Sequence, residues 1–223
     1  MMKRDKKIVI PGWMVGDNSF GVTKAYLEYF SRYGKVHILH PSNEIVEDAD
    51  LLVLPGGKDV LTTRYGQIPS MHTGQPDMIL EWFDHTLLPK YIDMGIPIFA
   101  TCRGMQTLNV FFGGSLKQHL YGHPYSTEWR GERVHEVYTP EDYARFKAST
   151  KKSSVKPHMK VNSLHHQAID KLGEGLIPLL ISNDGIIEAI KHETLPIYGQ
   201  QFHIEEMLIR DKLLEDLLKI NEE

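Results

Sequence analysis

Short apolar runs bounded by Gly, Pro, Asn and Asp alternate with stretches of helical period through the first half of the chain. Ile8 to Ile10, Val36 to Leu39, Leu51 to Leu54 and Ile96 to Ala100 predict four strands, the last buried on both faces. Between the first two, Val22, Ala25, Tyr26, Tyr29, Phe30 and Tyr33 fall on one helical face behind a cap at Asn18 or Ser19, with Gly34 at the C-terminal cap position. A second helix begins near Pro76 and Asp77 and turns Ile79, Trp82, Phe83 and Leu87 inward, and a third runs from Arg103 to Phe112 and stops at Gly113 and Gly114. Strands alternating with helices argue for a parallel sheet joined by crossovers and covered on both faces.

The second half has a different pattern. Val134 to Tyr138, Leu176 to Ser182, Ile186 to Lys191 and Ile197 to Phe202 predict strands, and Asn183-Asp184-Gly185 joins two of them as a hairpin, so the sheet turns partly antiparallel. The polar stretch Thr139 to Lys160, centred on Lys151, Lys152, Ser153 and Ser154, predicts an exposed excursion or mobile loop. Glu205 to Ile220 predicts one terminal amphipathic helix carrying Met207, Leu208, Leu213, Leu214, Leu217 and Leu218. With no repeat and no linker, a single domain over residues 1–223 is expected, residues 1–7 forming a flexible tail.

Composition narrows the partners. The 223 residues carry a formal net charge of −4, with 41% hydrophobic and 24% charged residues, and a pI near 6.3. No global field is available to hold nucleic acid or an anionic membrane, and the longest basic cluster is Lys3 to Lys7. That cluster followed by Ile8-Val9-Ile10 imitates a signal peptide, but Pro11 and Gly12 break the apolar run too early. No segment approaches the roughly 20 apolar residues of a membrane span, so a cytosolic protein is expected. The single cysteine, Cys102, excludes an intramolecular disulfide and a cysteine-cluster metal site.

Cys102 sits where a strand meets a helix. Ala100 and Gly104 flank it with the small residues of a nucleophile elbow, a sharp turn that presents a side chain at the sheet edge. The helix N-terminus there stabilises a thiolate, and the Arg103 N–H points where an oxyanion would form. A lone cysteine is more often a small buried hydrophobe; the elbow context favours the nucleophile. Among twelve histidines, His203 ends the last apolar strand, and Glu205 two residues on can orient its imidazole; the alternative is that Glu205 only caps the last helix. Gly56 and Gly57 let backbone approach a substrate closely, with the Gly57 N–H as the second oxyanion donor, and the loop lacks the spacing and lysine of a phosphate-binding loop.

Five segments taken in order resemble class I glutamine amidotransferase-like hydrolases, specifically the γ-glutamyl-γ-aminobutyrate hydrolase branch. They are Leu54-Pro-Gly-Gly-Lys-Asp-Val60 with Tyr65-Gly66, Ile98-Phe-Ala-Thr-Cys-Arg-Gly-Met-Gln106 with Gly113-Gly-Ser-Leu116, Val161-Asn-Ser-Leu-His-His-Gln167, Asp184-Gly-Ile-Ile-Glu-Ala189, and Gln200-Gln-Phe-His-Ile-Glu205. The resemblance implies a three-layer α/β/α fold with a mostly parallel mixed central sheet. It also implies thiolate attack on a small-molecule γ-glutamyl amide, with a glutamyl thioester then hydrolysed to glutamate. It casts Cys102 as nucleophile, His203 as acid/base, Glu205 as orienter and Gly57 and Arg103 as oxyanion donors. Gly56, Gln106, Asn162, Ser163 and His165 fall where the family lines its substrate pocket. His165 and His166 are adjacent and point apart, and no carboxylate stands at ligand spacing, so no metal is expected, and the thioester chemistry implies no organic cofactor.

Some positions depart from the branch. Ile204 replaces the usual proline of Trp-His-Pro-Glu, removing a fixed backbone angle before Glu205. Gly12-Trp13-Met14, Tyr33-Gly34-Lys35 and Gln75-Pro76-Asp77 also differ, and they leave the released amine open. A stand-alone hydrolase is the expected function; a glutaminase subunit feeding a synthetase partner is the alternative, and a catalytically inactive binding module a third reading. A homodimer is compatible with the fold. Tyr121, His123, Tyr125 and Trp129 either wall the leaving-group pocket or form an aromatic satellite cluster under a loop.

Overall fold

The computed structural model of the chain describes residues 5–15 and 19–219. In chain order the elements are β1 (Lys7–Pro11), β2 (Trp13–Met14), β3 (Phe20–Gly21), α1 (Lys24–Phe30), β4 (Lys35–Leu39), β5 (Leu51–Leu54), α2 (Met78–Thr86), α3 (Leu88–Asp93), β6 (Ile98–Thr101) and α4 (Arg103–Phe111). After these come β7 (Ser115–Lys117), β8 (His135–Tyr138), α5 (Pro140–Ala148), β9 (Met159–Val161), β10 (Ala168–Lys171), β11 (Leu176–Ser182), β12 (Ile187–His192), β13 (Ile197–Gln200), α6 (Ile204–Met207) and α7 (Lys212–Leu217).

Nine strands form one mixed, mostly parallel sheet in the order β4-β1-β5-β6-β13-β12-β11-β8-β9. Neighbours from β4 to β13 pair parallel, and neighbours from β13 to β9 pair antiparallel. Strand alternation sorts the side chains into two layers. Ile8, Ile10, Leu51, Val53 and Phe99 pack with Tyr26, Tyr29 and Phe30 of α1 and Leu214 and Leu217 of α7. Val9, Leu52, Leu54, Ile98 and Ala100 pack on the other face with Phe83, Leu88, Tyr91 and Leu108 of α2, α3 and α4. Helices therefore cover both faces, as the continuous apolar strands require. Among the described residues no helix is long and apolar enough to cross a membrane.

Several expected boundaries move for identifiable reasons. Lys7 is the first residue of β1 rather than tail, because its N–H donates to Asp50 Oδ2 at 2.8 Å and it pairs with Lys35; residues 1–4 lie outside the described set. Helix α1 starts at Lys24 after Thr23 and ends at Ser31, short of Gly34; Asn18 is outside the described residues. Helix α2 does cap on Asp77, whose carboxylate accepts from Ile79 and Leu80, but Trp82 faces out while Glu81 and Asp84 turn in. The stretch Thr139 to Lys160 is largely exposed, as expected of an excursion, but its first part is helix rather than loop: Thr139 caps α5, and Phe146 is buried against the Tyr138 ring at 4.9 Å. The terminal helix is two pieces, broken at Leu208, which adopts a left-handed φ of 55°, and restarted by Asp211 accepting from Leu214 N.

Gly104 marks a tight crossing of helix and sheet in this framework. A Cβ there would lie 2.4 Å from the Leu54 carbonyl oxygen of β5. Gly104→Ala would gain up to about 1 kcal/mol in helix propensity if the site were open; we expect instead a net loss of about 1–3 kcal/mol from overpacking, read from urea denaturation. Gly21→Ala, with no neighbour within 4 Å, should stay within about 0.5 kcal/mol of wild type. Equal stabilities for the two variants would contradict the close approach of elbow and sheet.

Candidate active site

Three adjacent strands, β5, β6 and β13, deliver the site from their carboxyl ends. The register Leu54↔Ala100 and Thr101↔Gln200 sets the strand ends level, and the Cys102 N–H donates to the Gln200 carbonyl at 2.6 Å. Cys102 then turns with φ 52° and ψ −108° at the N-terminus of α4. Such a backbone costs a residue bearing a Cβ about 1–3 kcal/mol and persists only where its surroundings fix it. Here the fully buried Ala100 and the Gly104 contact with Leu54 do so.

His203 follows β13. Its Nδ1 lies 2.6 Å from Glu205 Oε1, and its ring faces the same cleft as Cys102. Burial opposes the charged ring, yet the Glu205 carboxylate and the Cys102 sulfur beside it push His203 up from 6.5 to about 10. Ile204 does not prevent the pairing, because α6 begins at that residue and places Glu205 in its first turn. The His203 backbone is clamped from both sides by Asn162, whose Oδ1 accepts from His203 N at 2.9 Å and whose Nδ2 donates to His203 O at 3.1 Å.

Cys102, His203, Gly56 and Gly57 share a cleft of about 230 Å³ with Trp13, Tyr26 and Arg130, and Thr23 and Leu164 complete its walls. A Cβ on Gly56 would sit 2.6 Å from His203 Cε1, so only glycine lets the loop meet the imidazole. The Gly56 N–H donates to Tyr26 Oη at 2.7 Å. Among the described residues, the Gly57 and Arg103 N–H groups donate to no protein acceptor. A larger depression of about 980 Å³ between the Pro41–Asp48 stretch and Trp82 contains none of these residues.

Beneath the elbow lies a buried ion network that the sequence reading missed. The Arg103 side chain turns away from the cleft to Glu81 Oε1 and Asp84 Oδ2, each at 2.7 Å, and Arg64 reaches the same two carboxylates at 3.3 and 3.6 Å. Burial pushes the Asp84 carboxyl up against the pull of Arg103 and Arg64. The available signal was the Glu81 and Asp84 pair three residues apart on a helix otherwise apolar on that side.

The remaining predicted residues are placed elsewhere. Gln106 is buried, its amide nitrogen Nε2 donating to the Gln167 carbonyl at 3.0 Å and to Gln201 Oε1 at 3.2 Å, and it does not line the cleft. Ser163 exchanges hydrogen bonds with Ser126, its N–H donating to Ser126 Oγ at 2.9 Å. His165 donates from Nδ1 to the Gln167 carbonyl at 3.0 Å, away from the cleft; Leu164 is the residue of this segment that faces it. Tyr121, Tyr125 and Trp129 are exposed and His123 is turned to Asp184, so none of the four walls the cleft. Trp13, Tyr26 and Arg130 take that place without a sequence pattern to announce them.

A family model described as peptidase C26 matches residues 15–205. YvdE of Lactococcus lactis subsp. lactis, described as glutamine amidotransferase-like, is 31% identical over 193 residues, covering 82% of this chain and 79% of that protein. The γ-glutamyl-γ-aminobutyrate hydrolase of Escherichia coli O157:H7 is 30% identical over 170 residues, covering 73% of this chain and 66% of its own. A crystal structure of a glutamine amidotransferase from Thermotoga maritima shares the fold, with a TM-score of 0.56 at 15% identity over 91% of this chain and 77% of that one.

Two outcomes follow from the charges. Arg103→Met keeps the backbone N–H but leaves Glu81 and Asp84 buried with one cation fewer, and should destabilise by about 3–5 kcal/mol in chemical denaturation. For His203 the folded-state value is the raised one, so its stabilising contribution is complete below pH 6.5 and is lost as pH rises through about 10. Glu205→Gln should flatten this alkaline decline in a series of melting curves from pH 6 to 10; an unchanged slope would remove the carboxylate as its cause.

Proposed function

The chain belongs to the peptidase C26 family, of class I glutamine amidotransferase-like fold, and from that premise we propose that it hydrolyses γ-glutamyl amides through a glutamyl thioester on Cys102. The observation that carries this reading is that Cys102 and His203 line one cleft and the His203 ring is bound behind it by Glu205. In acylation, the Cys102 thiolate attacks the γ-carbonyl carbon and forms the C–S bond. The Gly57 and Arg103 N–H groups, which meet no protein acceptor among the described residues, receive the developing oxyanion. His203, kept cationic through neutral pH, gives its proton to the departing nitrogen as the C–N bond breaks. Neutral His203 then takes a proton from water, which attacks the thioester, and glutamate leaves with the thiolate restored. Glu205 holds the ring in the orientation both steps need, and Asn162 acts as a positioning residue through the His203 backbone.

The cleft suits a small substrate. About 230 Å³ accommodates a glutamyl group but no macromolecule, and Arg130 at its edge is held by Glu206, to which its Nε donates. A stand-alone hydrolase needs no further chain for this chemistry, in contrast to a glutaminase subunit that delivers ammonia to a synthetase.

Intact-mass spectrometry after incubation with a glutamine-analogue electrophile should show one adduct in wild type and none in Cys102→Ala, and glutamate release from γ-glutamyl-γ-aminobutyrate should fall by at least about 1,000-fold in that variant. Absence of an adduct in wild type would overturn the thioester reading; an adduct without turnover would favour the glutaminase subunit. In Glu205→Gln the alkaline limb of kcat/KM should move to lower pH, because the ring loses the carboxylate that raises it.

A further inference from the structure

Beside the Leu164 wall of the cleft, but outside it, four buried side chains from distant parts of the chain converge: His123 before β8, His135 at the start of β8, His165 after β9 and Glu188 in β12. The Nε2 atoms of His135, His123 and His165 lie 3.3, 3.7 and 3.9 Å from one oxygen, Glu188 Oε1. The donor atoms of His123, His135 and Glu188 are all within 4.8 Å of one another. Among the described residues, neither oxygen of the fully buried Glu188 carboxylate has a hydrogen-bond partner, and neither do these three Nε2 atoms.

The outer hydrogen bonds fix what the inner atoms present. His123 Nδ1 is 2.7 Å from Asp184 Oδ2, and Asp184 is itself held by the Ser182 hydroxyl at 2.5 Å. His165 Nδ1 is 3.0 Å from the Gln167 carbonyl. A carboxylate and a carbonyl only accept, so the Nδ1 of His123 and of His165 carries the proton and the Nε2 of each turns a lone pair inward, while both ring nitrogens of His135 are without a partner among the described residues. Those lone pairs face a carboxylate that offers only more lone pairs. The separations exceed the 2.7–3.2 Å range of hydrogen bonds. They approach instead the edge of a tetrahedron, about 3.3 Å for ligand bonds of about 2.0–2.1 Å. A histidine whose second nitrogen donates to a carboxylate or carbonyl is also the usual outer arrangement of a metal ligand.

We propose that His123, His135 and Glu188 form a three-ligand binding site for a divalent cation of the zinc class. Two imidazoles and one carboxylate suit a borderline cation better than calcium or magnesium, which take all-oxygen sets. The fourth position is left to water, with His165 Nε2 standing beside the site at 3.9 Å from Glu188 Oε1. The ion would fasten the 118–134 segment, β8 and β12 at one point. That point adjoins the His203 strand: the Glu188 carbonyl accepts from Gln201 N at 2.8 Å, and Asn162, on the same segment as His165, clamps His203. The expectation of no metal considered only His165 with its neighbour, and these do part, His166 Nε2 going to Asp59 Oδ1 at 2.9 Å. The partners come from elsewhere in the chain.

The inference does not depend on the amidase reading, and its test is made on binding rather than turnover. The full chain, stripped with a chelator and dialysed, is titrated with Zn²⁺ by calorimetry and with Co²⁺ by visible absorption. One equivalent bound, a rise in Tm and a four-coordinate Co²⁺ spectrum are expected, and Cys102→Ala should behave as wild type. Asp184→Ala should weaken binding by about 10–100-fold, and His123→Ala, at the least buried ligand, by more. Glu188→Gln is read only if its circular dichroism matches wild type; His123→Ala decides otherwise. His72→Ala with His119→Ala, in an exposed aromatic group, should change nothing. No Zn²⁺ bound and no change in Tm would overturn the site, and binding that survives His123→Ala would overturn the ligand assignment.

Discussion

Three neighbouring strand ends must finish level for anything else in this protein to matter. β5, β6 and β13 each end in a segment that supplies one part of the site: backbone amide, thiol and imidazole. The parallel register between them is what brings residues 57, 102 and 203 to one cleft. A slip of one residue along β6 would turn Phe99 out of its layer and exchange the two apolar faces. Core packing and site geometry are therefore the same constraint, and the strained turn at Cys102 is held by it.

The polar interior divides into parts with different solutions. Under the elbow, Arg103 and Arg64 meet Glu81 and Asp84, so charge is matched within hydrogen-bonding distance and α2 is tied to α4. At the cleft, Glu205 spends one oxygen on His203 while the other has no partner among the described residues. That asymmetry keeps the carboxylate attentive to a single group. Around Glu188 the histidines approach without closing hydrogen bonds. The first of these networks pairs both carboxylates with guanidinium groups and leaves Arg103 Nε without a partner among the described residues.

Much of this was legible in the chain. Strands β5 and β11 carry the expected bounds, and the four parallel-sheet runs are apolar because both faces are covered, which is a property of sequence composition rather than of long-range contacts. The elbow was visible because its requirement is local: small residues on either side of Cys102. Helix α5 was hidden because a single buried aromatic, Phe146, anchors an otherwise polar helix, so periodicity has little to register. Glu81 and Asp84 are buried only because Arg103 turns inward to meet them, a long-range contact that periodicity does not register. The cleft walls Trp13 and Arg130 come from segments whose pattern says nothing about where the chain will pass.

The position of β13 in the sheet has a further consequence for how the molecule is assembled. It lies between β6 and β12, so β4, β1, β5 and β6 on one side and β12, β11, β8 and β9 on the other share no strand pairing without it. During synthesis the thiol of Cys102 emerges about a hundred residues ahead of the imidazole, and each half of the sheet can form while the two remain apart. The insertion that joins them is the event that carries His203 to the sulfur. Long sequence separation makes such a closure slow, and until it is made the thiol and the imidazole stand apart.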